Sequence, residues 1–332
     1  MNYIPKTPKY YIRKFIGSIL KDNSILLSIY NVFFKLKNKH KFCQQIEERS
    51  KLSFTNYLEL SDNIPFYPIE STKDSNYYGY LHILKKYSDV KETIWSIEHG
   101  LMYGDYIPYE YSCKTIKKIL TFNSNRATYL KNSLNKEVTA IGPYIHYAQS
   151  LLNESDLARY KNLFGKILLF FPSHSSVEVV AQNNIKTEID TISKLKNLYG
   201  FDTVLVCMYY LDIQRFEYYK MYEQAGFKVV TAGHQLDINF LRRLKSIILI
   251  ADYTVSSTVG TQIGYCIYLN KPHLIIGEPQ INNMPSDYNE IYNEFSHFSQ
   301  EITPNQLSVA SKYWGFNSIL TENKLKNILM NN

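Results

Sequence analysis

Paired cysteines of the C-x-x-C kind are missing from this chain, and no Cys/His spacing suggests zinc. Cys43, Cys113, Cys207 and Cys266 are all there is. Buried, reduced thiols in a cytosolic protein are the expectation from that usage. No apolar run approaches the roughly 18–20 residues of a membrane span, and no apolar core near the start leads into a cleavage site of the secretory type. A G-x-G-x-x-G after a strand is absent, which argues against a nicotinamide enzyme. So are a GK[ST] phosphate loop, a G-x-S-x-G elbow, an H-E-x-x-H pair and an Asp-rich metal loop. These absences leave a chain that binds its ligand without a signature cofactor loop, and no cofactor is expected.

What is present is globular in composition: 45% hydrophobic and 20% charged residues over 332 positions, enough for two domains of ordinary size. The 30 tyrosines, beside abundant Lys, Asn and Ile, read in part as compositional bias. The net charge of +7 is uneven. Residues 1–51 hold 11 Lys/Arg against 3 Asp/Glu, and the rest hold 26 against 27. Within that basic segment Ile12, Phe15, Ile16, Ile19 and Leu20 recur at helical spacing, with Arg13, Lys14 and Lys21 off the stripe. An amphipathic helix over residues 1–21, able to lie on an anionic membrane surface, is the expectation. Nucleic acid is not an expected partner, because the remainder has no basic stripe.

From Thr93 onward the pattern sharpens into strand and helix segments. Strands are expected at Thr93–Ile97, Ile119–Phe122, Val138–Ile141, Lys166–Phe171, Thr203–Met208, Lys228–Thr231, Ile247–Ile250 and His273–Ile276. Helices are expected over Glu154–Phe164, Asn184–Tyr199, Ile213–Ala225, Asp237–Leu244 and Gly260–Leu269, and from Thr303-Pro304 toward Trp314. Such alternation implies βαβ units and parallel sheets. Three parts are expected: a basic segment over 1–51, an N-terminal Rossmann-like domain over 52–160, and a C-terminal donor-binding domain over 161–332.

Ligands of open α/β sheets bind beyond the carboxyl ends of the strands. Four polar clusters fall at such ends: Glu98-His99-Gly100, Ser173-His174-Ser175-Ser176, Gly233-His234-Gln235 with Asp237 beyond, and Ser256–Gln262. The last carries Ser256, Ser257, Thr258 and Thr261 as hydroxyl donors, Gly260 for close backbone approach, and Gln262 opening a helix. A phosphate is favoured there by the helix N-terminus. His174 and His234 are candidate donor-contacting residues. His99, Glu98 and Asp105 are alternative candidates for a base facing the donor from the other domain, and His146 is a candidate lining residue.

Together these residues resemble GT-B glycosyltransferases of bacterial capsule and lipopolysaccharide synthesis, especially those using CMP-activated sialic or related ulosonic acids. Those families carry a His-Pro motif after a strand, a Ser-Ser/Thr motif near the donor phosphate and an acidic-acidic-Gly motif in the first domain. Here Phe171-Pro172-Ser173-His174-Ser175 stands where His-Pro would, Ser256-Ser257-Thr258 matches the hydroxyl motif, and Glu98-His99-Gly100 has Glu-His for the acidic pair. A second resemblance is to capsule polysaccharide proteins, carried by Asn270-Lys271-Pro272-His273, Gly277-Glu278-Pro279, Thr303-Pro304-Asn305-Gln306 and Tyr313-Trp314-Gly315. It spans 93–315 loosely and 166–280 best. The resemblance implies a GT-B-like α/β fold, two Rossmann-like domains facing across a cleft, and metal-independent transfer. It implies a nucleotide-sugar donor, a glycan or lipid-linked acceptor, and a cytoplasmic enzyme peripheral to the membrane. A polymer glycerophosphotransferase using CDP-glycerol and a non-catalytic sugar-nucleotide or glycan-binding assembly protein remain as alternatives.

Overall fold

The computed structural model describes Tyr11, Phe15, Ile16, Ile19, Leu20, residues 23–64 and 74–175, Ala181, and residues 184–278 and 284–331. Ile12 of the apolar stripe expected over 1–21 and the flanking Arg13, Lys14 and Lys21, together with Ser176 and Pro279, lie outside the described residues.

The architecture is α/β with two parallel sheets. The first has three strands in the order β1 (Trp95–Ile97), β2 (Lys118–Thr121), β3 (Glu137–Ala140). The second has five: β4 (Ile167–Phe171), β5 (Thr203–Cys207), β6 (Lys228–Val230), β7 (Tyr253–Ser256) and β8 (His273–Ile275), ordered β6-β5-β4-β7-β8. All its pairings are parallel. β4 is buried throughout, as an apolar run in the middle of a sheet covered on both faces should be. Counting from β4, the order reads 3-2-1-4-5, so the chain changes direction between β4 and β7. That switch point opens a crevice at the strand ends, where ligands of such sheets bind.

Several expected elements moved. The apolar run Ile247–Ile250 is not a strand; it ends the helix Phe240–Ile250, and the strand is Tyr253–Ser256. Leu241, Leu244, Ile247 and Ile248 are buried at helical spacing, so the short apolar run belongs to a longer 3.6-residue period. The expected helix over 213–225 is two helices, Tyr210–Phe216 and Tyr219–Gln224, broken at Glu217 with φ 50°. Three boundaries followed local chemistry closely. Asn153 caps Glu154–Phe164, Asn184 caps Ile185–Tyr199, and Thr303 with Gln306 forms a full capping box ahead of Pro304–Trp314.

A segment before the first sheet and one after the second cross between the sheets. Residues 54–60 dock on the second sheet, where Thr231 N donates to Phe54 O and His234 N to Leu60 O. The terminal helix Glu322–Met330 reaches the first sheet, where Trp95 Nε1 donates to Ile328 O at 2.8 Å. One apolar cluster, holding Ile97, Leu120 and Phe122 together with Leu169 and Leu205, runs continuously between the sheets.

Candidate functional site

The Pro172–Ser175 segment leaves β4 and the Ser257–Thr261 segment leaves β7, so the two flank the switch point. They are stitched together: Ser257 N donates to Phe171 O at 3.1 Å, and Ser173 Oγ donates to Thr258 Oγ1 at 3.4 Å. The Glu98-His99-Gly100 turn leaves β1 and meets the same loop from the other sheet. Leu101 N donates to Thr261 Oγ1 at 2.9 Å, and a Cβ on Gly100 would stand 3.1 Å from that oxygen. Three of the four sequence clusters therefore converge.

The hydroxyls of the Ser256–Gln262 segment divide into two kinds. Ser256 is fully buried and bonds His273 Nε2 at 2.9 Å. Ser257 Oγ donates to Glu188 Oε1 at 2.6 Å, and Tyr222 OH donates to the other oxygen of that carboxyl. Burial raises the Glu188 pKa. These two serines tie the loop to the interior. Thr258, Gly260 and Thr261 are half-buried and line the crevice. Gln262 Nε2 reaches Thr258 O at 3.4 Å, and the helix it opens ends at Tyr268.

His174 is exposed and lies over the Tyr209 ring at 4.5 Å between centroids. Its neighbour Ser175 is buried, and its N–H donates to both oxygens of Asp212, at 3.2 and 3.1 Å. Burial raises the Asp212 pKa against the opposing hydrogen bonds from Ser175. Pro172, Ser173, Met208, Tyr209 and Asp212 line a small recess at the ends of β4 and β5.

His99 sits opposite. Its ring is 5.2 Å from both Tyr77 and Tyr78, and Tyr78 OH is 3.5 Å from Tyr209 OH. His99 and His174 thus stand on either side of a tyrosine pair. The His99 Nδ1 is buried without a hydrogen-bond partner among the described residues. Burial, then the charge of His174, pushes its pKa down to about 4, so the imidazole is neutral near pH 7.

The other two candidate bases sit differently. Glu98 is buried, bound by Arg126 Nη2 at 2.6 Å and Nε at 3.0 Å, and accepts from Thr121 Oγ1 at 2.5 Å. Asp105 is exposed, and its backbone carbonyl accepts from Tyr129 OH. The Gly233-His234 turn is bonded within the fold. Gly233 has φ 100°, His234 Nδ1 accepts from Leu236 N, and Arg243 pairs with Asp237 at 3.1 Å. Burial, then Arg49, pushes the His234 pKa down to about 3. His146 bonds Tyr268 OH at 2.6 Å, at the far end of the helix that begins near Thr261.

Sequence reasoning missed Tyr77, Tyr78, Tyr209 and Asp212. Their signal was a Tyr-Tyr-Gly turn and a Tyr-Tyr pair after a strand. Tyr78 takes φ 57° and Gly79 φ 72°; a Cβ on Gly79 would stand 2.2 Å from Ile238 O, so only glycine fits.

No family model matches the chain, and no curated protein does. Among solved structures it is similar to the wall teichoic acid polymerase TagF, at 12% identity and a TM-score of 0.42, covering 64% of this chain and 57% of that one. The UDP-GlcNAc 2-epimerase from Neisseria meningitidis matches at 12% identity and 0.36, covering 66% and 60%. A glycosyltransferase from Rickettsia africae matches at 15% and 0.35, covering 81% and 85%. The chain thus spans less than two thirds of the length of the first two. Likenesses this weak carry no argument; the α/β description stands on the sheets themselves.

Proposed function

We propose that the protein is a GT-B-type glycosyltransferase. It moves a sugar, in the first instance a CMP-activated ulosonic or sialic-type acid, from a nucleotide donor to a surface glycan or lipid-linked precursor of capsule or lipopolysaccharide. The observation that carries this reading is the convergence at the β4/β7 switch point. A neutral histidine from one sheet, its Nδ1 without a hydrogen-bond partner among the described residues, faces a hydroxyl-lined loop and a second histidine from the other.

The donor phosphate sits at Ser173, Thr258 and the backbone of residues 258–261, with His174 beside it. The Tyr78/Tyr209 pair packs against the donor's flat or apolar faces. The His99 imidazole takes the proton of the acceptor hydroxyl as that oxygen bonds the anomeric carbon. The bond from that carbon to the phosphate oxygen breaks, and the nucleotide leaves with the electron pair, its charge stabilised by the hydroxyls and His174. Ser256 and Ser257 hold the loop in shape, Asp212 orients Ser175, and Glu98 fixes the turn that presents His99. Residues 1–21 bring the enzyme to the inner membrane face as a peripheral protein.

The experiment is turnover of CMP-sugars, UDP-sugars and CDP-glycerol, each with and without glycan acceptor. Donor consumption that requires acceptor and is lost in His99→Ala, with nucleotide binding retained, is expected. Turnover of CDP-glycerol alone would replace the reading with glycerophosphate transfer. No turnover of any donor would replace it with a binding role.

A further inference from the structure

The helix Ser24–Ser50 carries an apolar face that the fold leaves in solvent. Ile25, Ile29, Val32, Phe33 and Leu36 are 71%, 62%, 58%, 64% and 77% exposed. They recur at i, i+4, i+7, i+8 and i+11, so they share one side of the helix over three turns. Scattered exposed apolar residues need no explanation, but an aligned stripe does. The helix is fixed to the body at its other end, where Arg49 donates to Leu60 O and Asp62 O at 2.6 Å each.

Charge identifies the occupant. Residues 23–46 contain four lysines and neither Asp nor Glu. Lys37, Lys39 and Lys41 are exposed immediately beyond the stripe. A second copy laid parallel against this face would bring the same lysines together, and an antiparallel one would offer them no acidic partner, whereas an anionic surface would neutralise them. Among the described residues no helix is long and apolar enough to cross a membrane. An apolar stripe bordered by lysines, on a helix of about 40 Å, is suited to lying in the interface instead.

We propose that this face is a membrane-docking surface: Ile25, Ile29, Val32, Phe33 and Leu36 enter the headgroup–acyl boundary of an anionic bilayer while the lysines bind its lipid phosphates. The inference does not rest on the transfer reaction, nor on the basic stripe of residues 1–21.

The test uses the full chain with vesicles of phosphatidylcholine alone and of phosphatidylcholine containing one quarter phosphatidylglycerol. Flotation is expected with the anionic vesicles and to weaken in high salt. Ile29→Glu with Phe33→Glu, both exposed positions, is expected to lower vesicle binding on the order of tenfold or more. Phe33→Trp tests insertion with a milder change, and its emission should shift to the blue on anionic vesicles. No vesicle binding by the unaltered chain would overturn the proposal. So would unchanged binding by the double variant, or bound Phe33→Trp without a blue shift. A concentration-dependent dimer in lipid-free sedimentation, abolished by the double variant, would assign the face to a second copy and equally overturn it.

Discussion

Arg126 grips Glu98 through two nitrogens, Nη2 at 2.6 Å and Nε at 3.0 Å from Oε1, with both side chains more than nine-tenths buried. Arg126 also donates from Nη2 to Tyr106 O at 2.6 Å. The pair therefore locks the strand end that carries His99 to the loop that carries Asp105. Arg126→Met is expected to leave a buried carboxylate uncompensated and to cost about 3–5 kcal/mol, read by urea unfolding. A loss under 1 kcal/mol would mean that water reaches Glu98.

The low His99 pKa makes stability depend on pH. An unfolded histidine titrates near 6.5, and the folded one at about 4. Between those values the unfolded chain binds a proton that the folded chain does not. Stability thus rises with pH through this window and falls on acidification. His234 and His273, each pushed down to about 3 mainly by burial, act in the same direction and extend the window downward. Unfolding free energy at pH 5 should be lower than at pH 7, and His99→Gln should shrink that difference. An identical pH dependence in the variant would rule His99 out as a source.

Thr258 and Ser257 should separate binding from architecture. Thr258→Val is expected to weaken nucleotide binding by about 1 kcal/mol for the lost hydrogen bond, measured by calorimetry, with little change in unfolding. Ser257→Ala should do the reverse, because its partner Glu188 lies inside the fold. Reversed outcomes would exchange their assigned tasks.

Gly264 packs against Trp314. A Cβ there would lie 2.0 Å from the indole, whose Nε1 donates to Thr261 O at 2.9 Å. Gly264→Ala is expected to cost about 1–3 kcal/mol by overpacking and to weaken nucleotide binding by shifting Thr261. Loss of stability with unchanged affinity would uncouple Trp314 from the crevice.

Asp212 anchors the Ser173–Ser175 loop. Asp212→Ala is expected to raise the KM for donor more than it lowers kcat, since it acts by holding Ser175. A collapse of kcat at unchanged KM would instead make Asp212 part of the chemistry.

The strand ends were legible because the switch point puts Ser173 and Thr258 where any parallel sheet puts its ligand. The helix caps at Asn153, Asn184 and Thr303 were legible because capping is local. The Ile247–Ile250 segment was not, since four apolar residues fit a strand or a helix equally until Leu241 and Leu244 set the period. Nor could the sequence tell which hydroxyls face inward. Ser256 and Ser257 are committed to His273 and Glu188, partners 17 and 69 positions away. Tyr78 and Tyr209 meet across 131 positions, which no local pattern encodes.

The crossed segments bear on how this molecule comes apart. Phe54 and Leu60 clasp the second sheet, and Ile328 clasps the first, so each half is latched by a segment from the far side of the sequence. Cutting between the sheets would strand both latches on the wrong fragment. The two halves are accordingly expected to melt together in one transition, and separately expressed halves to recover structure only when mixed.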